Sequence, residues 1–596
     1  MRNILAFYST LILLLCMLFN PATATVSDGF LDTFIDIYKN SPSALQRYQP
    51  QLARATTPQI DRVISSLNLD NYTYLAPAVI TARELPIAHQ LPINELSLMA
   101  VRNGKLVDIP FQIDEFDTDG FIWIDGINKE KAEGKPGYFD GFDELVVMFR
   151  DAGEDTFTGT NNKIITEITL TAPNQQRRYV YLVRQPAPES DFQYVYTDLD
   201  KGVLRSTVYE VGFNPKNLLD MHTMLPKMGP QTDLNLLEDI QIHLSTGLLS
   251  RNLRFNLQLP NNIRALPLAV KEGPVRNTIF LRIRVWYLGI PTLLTQHMQV
   301  HIYEQGTAIP IPFNISSIAS LRHFIGLLKE PKLELHVKVN HLEGATVAFE
   351  NLYSQQGQSA TVNGKPTSLK TALNQQRMPG DWLSVDSNQG WSALFTNGVP
   401  IHEGGLFDHY LAGTKIKMVY EEPNSNTLKL GFEGKNLPDI IFELLKTAPK
   451  LPRKTTELGA ALVFYEEAGK KGALEKYDDV VNRVVDTFTQ DKQTLINSFL
   501  RDMGRMDYTG MDKEALHNIL AASLNNSIAI PQRPLDHGHI LTAMLEEAQR
   551  QGEDLERLRF ATIPMNLWFP HKLDGAPDTF FAKQKEGISV QWKAWQ

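Results

Sequence analysis

Acidic side chains are concentrated in residues 114–155, which hold thirteen Asp and Glu residues against four Lys and Arg residues. Unpaired carboxylates at this density repel one another, so folding alone does not require them. Three of them stand at alternate positions before Gly120, which is the spacing of a calcium loop, where oxygen ligands converge and glycine permits a sharp turn. The predicted calcium ligands are Glu115, Asp117, Asp119 and Asp125.

The segment departs from the EF-hand pattern in two places. Glu115 occupies the first ligand position, and Gly126 stands where the bidentate glutamate belongs. Asp140 or Asp143 could complete a different oxygen cage. The alternative interpretation is a solvated acidic hairpin tip built on Asp-Gly turns.

Polar and aromatic side chains alternate along three predicted strands, Thr278 to Trp286, Gln296 to Tyr303 and Lys332 to Val339. Alternate residues of a strand share one face. Such a face suits a carbohydrate or a uronic-acid polymer, because sugar rings stack on aromatic rings while hydroxyls and carboxylates bind the polar groups. An ordinary solvated sheet face is the alternative. The predicted ligand-binding residues are Trp286, His297, Gln299, His301, Tyr303, His336 and Lys338.

A second polar cluster follows Ile401 and contains two glycines, Gly404 and Gly405. It is not a zinc-protease helix, because Leu406 stands where the second histidine is required and the glycines disfavour a helix. A lyase could use its histidine or tyrosine as base and acid while an arginine neutralises a substrate carboxylate. A glycine-rich hairpin is the alternative. The candidate catalytic residues are His402, His409, Tyr410, Arg282 and Arg284.

The acidic segment also carries a longer pattern: Gln112-x-Asp114-Glu115, then Asp143-Glu144-Leu145-Val146-x-Met148-x-Arg150-Asp151-Ala152-Gly153. It resembles a segment of uncharacterised secreted bacterial proteins and covers residues 112–153 of 596. The resemblance implies a β-sandwich module outside the cytoplasm. It implies no activity and no catalytic residue.

The N-terminus has the pattern of a secretory signal peptide. A nearly unbroken apolar run over residues 4–19 is followed by Pro21 and a small-residue cleavage site, which predicts cleavage near Ala24 and a periplasmic or secreted protein. An uncleaved anchor is the alternative. Cys16, the one cysteine, lies within this run, so the mature chain forms no disulfide and no thiolate metal site.

Composition limits the remaining function classes. A net charge of -9 argues against an electrostatic nucleic-acid binder, which needs a basic face. Mean hydropathy is -0.21, and no apolar run after the signal reaches the ~20 residues of a membrane span. The nearest run, residues 308–328, contains prolines and an arginine, and we interpret it as a buried segment or an amphipathic cover with a possible membrane-surface role.

Hydrophobic periodicity predicts a mainly β chain with α additions: an antiparallel β-sandwich, a larger sandwich or supersandwich, and a C-terminal helical domain. The predicted divisions are a signal peptide (1–24), a helical segment (25–70), a β-sandwich with the acidic turn (71–210), a connection (211–237), a large β-sandwich region (238–435), a linker (436–469), a helical domain (470–560) and a tail (561–596).

These features predict an exported multidomain binding protein for a glycan or a cell-envelope polymer. A carbohydrate-active enzyme such as a polysaccharide lyase is one alternative, and an envelope-assembly or scaffold protein is another. The helical domain is expected to cap the chain or to dock a protein partner. Calcium is the one cofactor that the sequence suggests.

Overall fold

The computed structural model describes residues 27–40, 55–117, 120–128, 131–140, 143–189, 192–227, 234–248, 254–258, 261–287, 290–314, 328–350, 357–363, 382–397, 415–420, 428–434, 559–573 and 575–595. The predicted signal peptide, the linker and nearly all of the predicted helical domain lie outside them. Within the described residues, no helix has the length and apolar character needed to cross a bilayer.

The described α-helices are short and belong to the two ends of the chain. They are α1 (Asp28–Asn40), α2 (Thr57–Ser66), α3 (Asn71–Leu75) and α4 (Pro577–Glu586), with 3₁₀ turns at Ala82–Glu84, Pro86–Ala88, Ile93–Glu95 and Phe149–Asp151. Helix α2 begins where the backbone N–H of Thr56 donates to Gln59 Oε1 at 2.9 Å. It buries Ile60, Val63 and Ile64, which recur at helical spacing.

Strands dominate the rest of the described chain, so the predicted mainly β class is confirmed. They are β1 (Pro77–Thr81), β2 (Leu91–Pro92), β3 (Leu96–Arg102), β4 (Lys105–Asp108), β5 (Phe111–Asp114), β6 (Tyr138–Phe139), β7 (Glu144–Met148), β8 (Ile164–Thr171), β9 (Arg177–Arg184), β10 (Tyr196–Asp198), β11 (Val203–Arg205), β12 (Tyr209–Asn214), β13 (Asn217–Pro226), β14 (Leu237–Leu248), β15 (Arg254–Gln258), β16 (Ile263–Lys271), β17 (Arg276–Tyr287), β18 (Ile290–Tyr303), β19 (Gly306–Asn314), β20 (Leu328–Val339), β21 (Thr346–Glu350), β22 (Gly357–Thr361), β23 (Trp382–Asp386), β24 (Ser392–Asn397), β25 (Lys415–Tyr420), β26 (Leu428–Gly434), β27 (Arg559–Trp568) and β28 (Ser589–Ala594).

The first β region, residues 71–210, forms two principal sheets that share one core, and β28 from near the C-terminus joins one of them. Their strand orders are β1-β7-β5 and β28-β8-β9-β3-β4. Ile80 and Val147 of the first sheet are buried in one cluster with Leu98, Ile168 and Val180 of the second. Because alternate residues of each strand point to the same side, each sheet supplies one apolar face to this core.

The second β region, residues 238–435, forms a nine-stranded sheet with the order β16-β17-β18-β19-β27-β24-β23-β21-β22 and a five-stranded sheet with the order β15-β14-β20-β26-β25. Strand β27, from near the C-terminus, lies between β19 and β24, whereas β28 pairs with β8 of the first region. The stretch expected to be a connection, 211–237, instead contains most of β12 and all of β13. A bulge at Phe213 interrupts the alternation that would have identified these strands.

The two β regions meet at Arg276, at the start of β17. Its Nε donates to Asp114 Oδ2 at 2.8 Å, its Nη2 to Glu144 Oε2 at 2.7 Å, and its Nη1 to Tyr303 Oη at 2.8 Å. Lys271 Nζ lies 3.2 Å from the other Asp114 oxygen. Arg276 is 1% exposed, so the chain buries a full positive charge and surrounds it with its counter-charges. We call these five residues the Arg276 cluster.

Electrostatics within the Arg276 cluster favour the charged forms. Burial opposes ionisation of Asp114, but Arg276 and Lys271 outweigh it and hold the pKa of this carboxyl below its ordinary value. Asp114 and Glu144 are directly opposite in the pairing of β5 with β7. Two like charges at such a position repel, and Arg276 bridges them. The sheet register of the first region therefore depends on a side chain of the second.

Replacing Arg276 with methionine would leave Asp114 and Glu144 side by side without their counter-charge. Removal of one member of a buried ion pair costs about 3–5 kcal/mol, so urea unfolding of Arg276→Met should show a loss of this size. The control is Arg205→Met. Arg205 pairs with Glu210 while more than half exposed, and an exposed pair contributes about 1 kcal/mol or less. Equal losses in both variants would contradict the account.

Candidate ligand-binding surface

Polar residues between positions 112 and 153 contact the second β region. Gln112 Oε1 accepts hydrogen bonds from the backbone N–H groups of Val275 and Arg276, at 3.0 and 2.9 Å. Arg150 Nη2 lies 2.5 Å from Glu304 Oε2, and both side chains are buried. Burial raises the pKa of Glu304, and the charge of Arg150 opposes that rise. Together with Asp114 and Glu144, these contacts give the pattern a structural role.

One face of strands β16, β17 and β18 carries most of the predicted ligand-binding residues. Residues directly opposite in an antiparallel pair point to the same side. The register places Tyr303, His301, Gln299 and His297 opposite Arg276, Thr278, Phe280 and Arg282, respectively. The other face of these strands is apolar and belongs to the core, through Ile279, Leu281, Val300 and Ile302.

The first β region covers part of this polar face. Gln299 is 0% exposed, and it exchanges two hydrogen bonds with the backbone of Ile122, at 2.8 and 2.7 Å. Tyr303 accepts from Arg276, and His301 is 6% exposed. Burial and the charge of Arg276 lower the pKa of His301 well below its ordinary value, so its imidazole is neutral. Gln299, His301 and Tyr303 therefore lie within the contact between the two regions.

The remaining part of the face is half-buried and basic. It comprises Arg264, Arg282, Arg284, Trp286 and His297, which we call the arginine–tryptophan surface. Arg264 is directly opposite Arg284 in the pairing of β16 with β17. The guanidinium carbon of Arg264 lies 4.8 Å from the centroid of the Trp286 ring, which is a cation–π contact.

The arginine–tryptophan surface borders the first β region through contacts between aromatic rings. The His297 ring centroid lies 5.5 Å from that of Phe280. Phe280 in turn contacts Phe121 of the acidic turn, at 6.2 Å and nearly edge-on. These contacts fix the surface relative to the acidic turn.

Two donors on this surface lack acceptors. Within the described part of the chain, Arg282 Nε and Trp286 Nε1 are buried and make no hydrogen bond. An unmade hydrogen bond at a buried donor costs about 1–3 kcal/mol. Both atoms are therefore unsatisfied donors within the described structure.

Sequence reasoning missed Arg264. Strand β16 was not predicted, because Pro267 lies inside it and its register shifts between Pro267 and Ala269. The alternation of side chains, which is the usual signal of a strand, is broken there.

The other predicted site residues lie elsewhere. His336 and Lys338 belong to β20 in the five-stranded sheet, which is not the sheet that contains β17 and β18. Lys338 forms an ion pair with Glu238. His402, His409 and Tyr410 lie outside the described residues, so of the lyase candidates the structure brings together Arg282 and Arg284.

The acidic turn is held by hydrogen bonds within its own loop. Asp117 is buried, and its two oxygens accept from Phe121 N at 2.9 Å and from Asn128 Nδ2 at 2.7 Å. Glu115 Oε1 accepts from Gly137 N at 2.6 Å. Asp125 is exposed, and Asp119 lies outside the described residues. Among residues with described positions, no group of three or more His, Cys, Asp or Glu side chains is arranged to hold a metal ion. Calcium binding stays a prediction.

Asp143 is a carboxyl of this segment whose pKa lies far from its ordinary value. Burial raises its pKa to about 8, and the nearby charges of Asp140 and Glu115 add to the rise. Its Oδ2 accepts from the backbone N–H of Asp140 at 2.9 Å. Asp140 in turn has one oxygen that is buried and makes no hydrogen bond within the described structure. Asp143 is therefore protonated at neutral pH.

Comparison with known proteins gave distant likenesses. No family model matches the chain, and no curated protein matches it. Among solved structures, it is similar to a protein of glycosyl hydrolase family 38 from Enterococcus faecalis, with 12% identity and a TM-score of 0.26 over 62% of this chain and 42% of that one. It is also similar to an alpha-mannosidase from Enterococcus faecalis V583, with 11% identity and a TM-score of 0.23 over 63% and 42%. The chain spans less than half the length of either protein, and likenesses at these TM-scores carry no conclusion about activity.

The raised pKa of Asp143 makes the free energy of unfolding depend on pH. Unfolded aspartate loses its proton near pH ~3.9, whereas folded Asp143 keeps it to about pH 8. The stability that Asp143 contributes is therefore full below pH ~4 and is lost as the pH rises toward 8. In EDTA, the unfolding temperature of the wild type should fall relative to Asp143→Asn over this range. Asp125→Asn, at an exposed carboxylate of the same segment, should leave the wild-type pH profile unchanged.

The same measurement tests the predicted calcium site when calcium replaces EDTA. An ion that binds the folded state raises the unfolding temperature. A rise that Asp119→Asn abolishes supports the site. An unfolding temperature that calcium does not change contradicts it.

Proposed function

We propose that this protein is an exported binding protein for a glycan or a cell-envelope polymer, and that the polymer lies across the arginine–tryptophan surface. The observation that carries the proposal is the presence of two buried donors without acceptors, Arg282 Nε and Trp286 Nε1, on a half-buried face beside an indole ring. Sugar hydroxyls supply acceptors, and a sugar ring packs against an aromatic face.

The length of the strands that carry the arginine–tryptophan surface supports a polymeric ligand. Strands β17 and β18 are 12 and 14 residues long, which corresponds to about 40 Å at ~3.3 Å per residue. The first β region covers the part of this face near Arg276. The part that remains on β17, from Arg282 to Trp286, extends about 13 Å at ~3.3 Å per residue and accommodates a short stretch of an extended chain. The contact with the first β region holds one end of this face in place, because Gln299 and Tyr303 are fixed there.

The support for export, and for the lyase alternative, comes from the sequence alone. The signal pattern before Ala24 supports a periplasmic or secreted location, and residues 1–24 lie outside the described structure. The lyase alternative requires His402, His409 or Tyr410 near Arg282 and Arg284, and it stays a prediction. The scaffold alternative depends on protein contacts through residues 308–328, most of which lie outside the described residues, and it stays a prediction.

Trp286→Ala tests the proposed surface. Purified mature protein would be assayed by affinity electrophoresis against polygalacturonate, alginate, dextran and isolated peptidoglycan. The wild type should be retarded by at least one of these polymers, and Trp286→Ala should weaken that binding roughly tenfold, which corresponds to about 1.4 kcal/mol.

The control is Trp592→Ala. Trp592 is an exposed tryptophan on β28, which is an edge strand of the first β region. Strand β28 belongs to a different sheet from the strands of the arginine–tryptophan surface. The Trp592→Ala variant should bind as the wild type does. Equal affinity of Trp286→Ala and the wild type would overturn the placement of the site, and no retardation of the wild type by any glycan would overturn the function.

A further inference from the structure

Among the cross-strand pairs of like charges in the described structure, two have both side chains recorded as buried or half-buried. Asp114 is directly opposite Glu144 in one sheet, and Arg264 is directly opposite Arg284 in another. Residues at such positions have Cα atoms about 4.5–5.5 Å apart, and like charges there destabilise the sheet. In the first case Arg276 lies between the two carboxylates. The second case calls for a compensating anion.

The described residues supply no such anion. Within the described part of the chain, no ion pair is formed by Arg264, Arg282 or Arg284, although each side chain is half-buried. The fully buried arginines behave differently, because Arg150 and Arg276 each reach a carboxylate at 2.8 Å or less. The arginine–tryptophan surface is thus a local concentration of positive charge on a chain whose net charge is -9.

The geometry of the pair also limits how it can bind. The guanidinium of Arg264 lies over the Trp286 ring. A guanidinium is planar and presents its N–H groups along its edge. Arg282 lies two residues before Arg284, on the same side of β17. A guanidinium binds a carboxylate or phosphate through two parallel hydrogen bonds. Adjacent guanidinium groups therefore favour an oxyanion over a neutral hydroxyl.

We propose that the polymer bound by the arginine–tryptophan surface is an anionic glycan, and that Arg264 and Arg284 together bind one of its oxyanion groups. The group is a carboxylate of a uronic acid or a phosphate ester. This inference rests on the proposed function and specifies its ligand class. Each further acidic residue of the polymer then lies along the strand direction, toward Arg282 and His297.

Matched pairs of polymers test the proposal. Polygalacturonate and its fully methyl-esterified form share one backbone and differ in charge, and phosphomannan and neutral mannan provide the phosphate arm. The wild type should bind one charged polymer at least tenfold more tightly than its neutral partner. Arg264→Gln/Arg284→Gln should remove this preference and leave the weaker binding of the neutral polymer, which depends on Trp286.

Two further variants separate charge from geometry and from misfolding. Arg284→Lys keeps the charge but loses the two-point contact, so its preference should be intermediate. The Gln/Gln variant removes a like-charge pair, so its unfolding temperature without ligand should equal or exceed that of the wild type. A lower unfolding temperature together with lost binding would contradict the stated role of the pair.

The outcomes distinguish this inference from the proposed function. Equal binding of charged and neutral glycans by the wild type overturns the anionic class and leaves the proposed function standing. No binding of any glycan overturns both. Binding of a single-stranded DNA oligonucleotide as tightly as the best glycan overturns the glycan class, because the surface would then recognise a general polyanion.

Discussion

The buried guanidinium of Arg276 is the interaction on which the arrangement of the two β regions depends. A charge that is 1% exposed is stable only when counter-charges surround it. Asp114 and Glu144 come from two strands of the first region, and Arg276 and Tyr303 come from two strands of the second. The cluster therefore fixes strand pairing within each region and the contact between them at once.

The same contact determines which part of the polar face is available to a ligand. Near Arg276 the face is closed, because Gln299 bonds to the backbone of Ile122 in the first region. Farther along β17 the face carries Arg282 and Arg284, with no carboxylate beside them in the described chain. The internal contact at one end and the basic surface at the other are the two features on which the proposed binding site depends.

Sequence patterns predicted individual strands well and their surroundings poorly. The alternation along Thr278 to Trp286 and along Gln296 to Tyr303 indicated strands, and the observed β17 and β18 agree. The same alternation placed His297, Gln299, His301 and Tyr303 on one face. It contained no information on what covers that face, because the covering residue, Ile122, is 177 positions away from Gln299. The acidic density predicted a calcium loop, and that stays a prediction. Two carboxylates outside the predicted ligand set, Asp114 and Glu144, neutralise a distant arginine.

The most direct test of this account is diethyl pyrocarbonate labelling of His297 and His301 in the folded protein, followed by peptide mass spectrometry. Both residues lie on one face of β18, and the account predicts that His297 is modified while His301 reacts only after unfolding. The lowered pKa of His301 keeps its imidazole neutral, so protection would report burial rather than protonation. Bound anionic glycan should then protect His297. Equal modification of the two histidines in the folded protein would show that the first β region does not cover this face, and would contradict the account.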